Sequence, residues 1–147
     1  MTLYFQAENA GDIWFQFRTT QDDGVMIHCT GSKTANDFVE IRLFQSDTIQ
    51  FRYDVGNGVA VLAFKSPSPL NDDRWHTIHV EKNRKESWIK VDDYPESTLS
   101  EDADLVRELD LSTPLYVGSL VDYQDGFVGC MRGLRSVLVL KTFCWSK

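Results

Sequence analysis

The sequence predicts an all-β fold, a sandwich or a barrel. Apolar residues alternate with polar ones at a period of two, and turn-forming clusters break that alternation every ten residues or so. No stretch of convincing length follows a helical period. The clearest case runs from Asn71 to Asp92. His76, Ile78 and Val80 share one face of a first strand, Lys82 to Lys85 is a charged turn, and Ile89 and Val91 then alternate with Trp88, Lys90 and Asp92. Successive side chains of a strand point to opposite faces, so this pattern marks a half-buried antiparallel hairpin.

The remaining elements follow in chain order. Leu3 to Gln6 reads as an edge strand. Ile13, Phe15 and Phe17 alternate with Trp14, Gln16 and Arg18, and Gln21 to Gly24 turns the chain into Val25 to Cys29. After a loop over 30–36, Val39, Ile41 and Leu43 face one way, and Phe38, Glu40, Arg42 and Phe44 the other. Gln45 to Asp47 is a turn, and Ile49, Phe51 and Tyr53 mark the next strand. Gly56 to Gly58 turns again, and Val59 to Phe64 is an apolar strand. Pro67 and Pro69 stiffen the connector that follows, since proline fixes φ and removes a donor. Asp93 to Asp110 is acidic and irregular and reads as the longest loop, with room for one helical turn over Ala103 to Leu109. Leu115 to Gly118 is a short strand, and Gly126 to Gly133 enters the last recognisable one.

Composition narrows the function. At 147 residues the chain is one domain spanning 1–147, long enough to bury a core without metal or disulfide help. A net charge of −7 with no basic, aromatic-interleaved patch argues against nucleic acid and favours cations or basic partners. No run approaches the roughly 18 apolar residues of a membrane-spanning helix. The three cysteines, Cys29, Cys130 and Cys144, suggest one disulfide and one remaining thiol, and their number fixes no compartment. The chain has no paired-carboxylate strand of the Glu-x-Asp-x-x-Glu type, no G-x-S-x-G elbow, no H-E-x-x-H and no phosphate-binding loop, which points to binding and not to catalysis. His76 and His79 fall on opposite faces of their strand and cannot chelate one ion together. Trp75 and Trp88 are expected to pack in the core or on a sheet.

The segment from Asn71 to Val80, with its Trp75-His76 pair, together with the following x-Φ-x-V-D run to Asp92, resembles the middle of a laminin G-like domain of the laminin/neurexin/sex-hormone-binding-globulin class. Further pieces keep that family's order: Phe17 to Thr20 with Asp23 to Ile27, Asn36 to Leu43, Tyr53 to Gly58, Leu115 to Ser119 and Gly126 to Leu134. The Phe127-x-Gly-Cys-Met-Arg132 run is most similar to the neurexin and contactin-associated branch. Two departures stand out. The family opens with another strand or two, and after Arg135 its Φ-x-Φ-N-G turn and later cysteine are replaced by a different tail. The pairing of Cys130 therefore stays open, with Cys144 as a candidate partner at shorter spacing.

The resemblance implies a two-sheet antiparallel jelly-roll sandwich, concanavalin A-like, in an extracellular adhesion or receptor protein. There the domain would be one of several laminin G and EGF modules, in the ectodomain of a single-pass membrane protein or in a secreted isoform. It implies a protein ligand or cell-surface receptor as partner, met by rim loops near Thr30 to Asp37, Asp54 to Gly58 and Asp104 to Asp110. The membrane would be reached only through the parent protein. It also implies a weak Ca²⁺ site, held by the side chains of Asp37 and Asp110 and by carbonyls near Val55 and Glu108, with an affinity of about 10⁻⁴–10⁻³ M. Spacing alone reads Asp37 and Asp110 as solvated residues beside turns. Two other readings stay open, a module for heparan sulfate or another acidic glycan and a structural spacer.

Overall fold

The computed structural model describes residues 3–4, 11–31, 37–54, 56, 58–83, 86–101, 114–119, 125–135 and 143–145. They form twelve strands: β1 (Leu3–Tyr4), β2 (Gly11–Arg18), β3 (Gly24–Thr30), β4 (Phe38–Phe44), β5 (Thr48–Asp54), β6 (Val59–Lys65), β7 (His76–Lys82), β8 (Glu86–Val91), β9 (Ser97–Ser100), β10 (Pro114–Val117), β11 (Gly129–Arg135) and β12 (Phe143–Trp145). These make two six-stranded antiparallel sheets, ordered β1-β10-β3-β4-β5-β6 and β12-β11-β2-β7-β8-β9.

The core lies between the sheets and comes from the alternation. One sheet contributes Phe15, Phe17, Ile78, Val80, Ile89 and Val91, the other Ile41, Leu43, Ile49, Phe51 and Tyr53, all buried. Each fully buried side chain of this kind contributes about 1.5–3 kcal/mol, so the period-two pattern sets which face each strand presents. Phe17 meets Phe127 edge to face, with ring centroids 6.2 Å apart. Gly24 lets the loop after β10 close over β3, because a Cβ there would stand 2.8 Å from the Phe127 backbone.

Two expectations needed revision. Ser97 to Ser100 is not loop: it pairs with β8 as edge strand β9. Its sequence, Ser-Thr-Leu-Ser, carries one apolar residue and so no period to detect. The segment 102–110, with the expected helical turn, lies outside the described residues. Phe143 to Trp145 forms β12 against β11, a strand too short to announce itself. Backbone register there sets Cys130 directly opposite Cys144. β6, expected as an apolar strand, lies at a sheet edge, where Val59 and Val61 are about half exposed.

Candidate binding site

Antiparallel pairing gathers the end of β3, the start of β4, the end of β5 and the start of β6 at one rim of the sandwich. Thr30 lies opposite Phe38, Phe38 opposite Asp54, and Asp54 opposite Val59. The Gly31 amide donates to the Asp37 carbonyl at 2.8 Å, which closes the root of the β3–β4 connection. The Asp54 carboxylate accepts the Gly56 amide at 2.7 Å. This Asx turn is continued by Gly56 and Gly58 at φ +92° and +97°, a region that side chains disfavour. Asp37 and Asp54 are both buried at the rim, at 7% and 8% exposure. Asp54 was not singled out in the sequence, although its Asp-x-Gly turn signal was readable there.

Of the expected metal ligands, Asp37 stands at this rim. Val55, Glu108 and Asp110 lie outside the described residues. Among the described residues no three His, Cys, Asp or Glu side chains gather as a metal cluster. The buried Asp37 carboxylate is the kind of oxygen donor a hard cation takes.

A charged row crosses the outer face of the same sheet from this rim. Tyr116, His28, Glu40, Arg52 and Val61 follow one another in cross-strand register. Glu40 takes a hydrogen bond from Arg52 at 2.9 Å and lies 3.8 Å from Arg42 and 3.5 Å from His28. Burial pushes the Glu40 carboxyl up, but the His28 contact and the two guanidinium charges outweigh it and hold it below the usual value. Phe38 stacks with His28 at 6.3 Å and lies under Arg52 at 5.9 Å.

Both histidines of β7 are held by carboxylates, His76 by two and His79 by one. His76 sits between Asp72 and Asp92, with each ring nitrogen 2.8 Å from an oxygen. His79, on the opposite face, reaches Asp12 at 2.6 Å and meets Trp88 edge-on at 4.7 Å. Of the two tryptophans expected in the core or on a sheet, Trp88 packs on its sheet against His79, and neither is among the buried core residues. Trp75 is half-buried, flanked by Arg18 at 5.3 Å and Arg132 at 3.9 Å.

With this geometry in place, comparison with known proteins decides the family. Residues 17–137 match the family model of the laminin G domain. The chain belongs to the laminin G domain family. It is 38% identical to Neurexin-4 of Drosophila melanogaster over 130 residues, 88% of this chain and 10% of that protein. The chain thus spans about a tenth of that relative's length. Among solved structures it resembles domains LG4-5 of the mouse laminin α1 chain, with a TM-score of 0.78 and 19% identity over 100% of this chain and 44% of that one. It also resembles the LG1-3 region of the laminin α2 chain, with a TM-score of 0.75 and 20% identity over 99% of this chain and 31% of that one. These likenesses establish the jelly-roll sandwich for this laminin G domain.

Proposed function

We propose that this laminin G domain is a non-catalytic extracellular module that binds a protein partner through its rim, in an adhesion or receptor protein of the neurexin type. The observation that carries the reading is the pair of buried acids, Asp37 and Asp54, at the end of a rigid sheet in a chain whose similarity to a neurexin spans most of its length. Strands hold such a rim in place while the loops beyond it vary, which is how sandwich domains present binding surfaces.

Asp37 would contribute one carboxylate to a weak calcium site, with Asp110 and the carbonyls of Val55 and Glu108 completing the protein ligands. Bound calcium would supply positive charge that offsets repulsion among the rim acids. Asp54 has a different part, holding the β5–β6 turn through the Gly56 amide. Calcium titration by calorimetry, with Asp37→Ala alongside, tests this. Binding at about 10⁻⁴–10⁻³ M that vanishes in the variant is the expected result. A folded wild type that takes up no calcium removes the metal from the proposal, and a large fall in the melting temperature of Asp37→Ala without calcium makes Asp37 a structural residue.

Disulfide pairing of Cys130 with Cys144 is part of the same extracellular reading. Directly opposed residues of an antiparallel pair have Cα atoms about 4.5–5.5 Å apart, within the span of a disulfide. A non-reducing peptide map should return the two cysteines on one linked fragment. Alkylation of both without reductant would refute the bond.

A further inference from the structure

The edge of the sandwich at β6 has the properties of a self-pairing strand. Among the described residues β6 pairs with β5 alone, so its far side presents main-chain donors and acceptors in strand geometry. Val59 and Val61, at 52% and 47% exposure, are the exposed large hydrophobics among the described residues, and both point outward from this strand. From Val59 to Phe64 there is no charge, proline or glycine. Folded proteins guard such an edge with a lysine, a proline or a bulge within the strand. Here the lysine, Lys65, stands at the end, 3.7 Å from Asp47. β9, the edge of the second sheet, packs beside β6.

We propose that two copies of this domain associate by antiparallel pairing of β6 with β6, extending the first sheet across a two-fold axis. A second copy fits because the edge is complementary to itself. Pairing centred on Leu62 sets each Lys65 beside the other copy's Val59, one strand from that copy's Asp54, which is opposite Val59 in register. The cationic end of one edge thus meets the acidic rim of the other, the two lysines stand far apart, and the apolar middle is shared. One strand pair with its flanking side chains falls at the small end of specific interfaces, below about 1,200 Å², the class of weak and transient encounters, so the dimer is reversible and is sought at micromolar concentrations.

Sedimentation velocity on the 147-residue chain across about 1–300 μM brackets that range. Wild type should pass from monomer to dimer, and the alternate amide hydrogens of Val59 to Phe64 that point away from β5 should gain protection from exchange as concentration rises. Val61→Lys places a guard in mid-strand at a half-exposed site. It should raise the dissociation constant at least about tenfold while leaving circular dichroism at the lowest concentration unchanged; opposite Arg52, the new lysine should lower the melting temperature only slightly. A chain that stays monomeric throughout overturns the proposal. So does a dimer indifferent to Val61→Lys, or one whose new protection lies outside β6.

Discussion

His76 ties three pieces of chain together at one point. Its ring is packed at 5.5 Å from Phe17, and its two nitrogens reach Asp72 in the connector before β7 and Asp92 in the turn after β8. Asp92 also accepts the Thr77 amide at 2.7 Å, and Arg74 lies 3.7 Å from Asp72. Burial lowers the imidazole pKa, but the two carboxylates more than compensate and hold it above its usual value. Burial likewise raises Asp72, and His76 and Arg74 pull it below its usual value. A raised imidazole stabilises fully below its unfolded value and loses that contribution as pH rises through its folded one. A lowered carboxyl stabilises fully above its unfolded value and loses its contribution as pH falls. Both contributions are complete between the ordinary values of 3.8 and 6.5. We expect His76→Gln to cost about 1.5–3 kcal/mol at pH 5.5, where both charge-assisted bonds exist, and markedly less at pH 9. Urea unfolding at both pH values measures this. An equal loss at each would mean that the ring stabilises by packing and not by charge.

Legibility of the elements followed their hydrophobic contrast. β2, β4, β5, β7 and β8 each bury one face, so their alternation was plain, and the side assigned to each apolar residue was correct. β9 and β12 escaped because four and three residues cannot display a period. Their place is set by β8 and β11, which provide the hydrogen-bonding edge. β6 was visible as a strand but not as an edge, because local sequence does not say how many neighbours a strand will have. β11 owes its irregularity to a contact no pattern shows. Gly133, at φ +64°, sits where a Cβ would stand 2.7 Å from the Trp14 ring, and the register shifts between Arg132 and Arg135 at that point. The candidate site was legible only in part. Asp37 came through family resemblance, while the burial of Asp54 beside it needed the β4–β5 register to bring two loops together.

At the scale of the whole molecule, the sheets are joined by a polar clasp as well as by the apolar core. Lys82 of β7 is buried, donates to Glu101 at 2.7 Å, and lies over the Tyr53 ring of the opposite sheet at 4.4 Å. Tyr53 donates to Glu101 at 2.9 Å, and Ser87 of β8 lies 3.0 Å from the same phenol oxygen. Since the phenol proton goes to Glu101, the Ser87 hydroxyl must donate to Tyr53. Burial, reinforced by the Glu101 carboxylate, raises the phenol pKa far above its usual value, so that proton is retained at any working pH. A clasp of this kind is held by mutual satisfaction. Lys82→Met alone leaves the half-buried Glu101 without its ammonium and should cost about 1.5–3 kcal/mol, the range for a hydrogen bond to a charged group. Lys82→Met with Glu101→Gln removes both charges while the new amide still accepts from Tyr53, and should recover a large part of that loss. Chemical unfolding of the wild type, both single variants and the double variant closes the cycle. Additive losses would show that the two charges act independently, and the sheets would then be held by the apolar core alone.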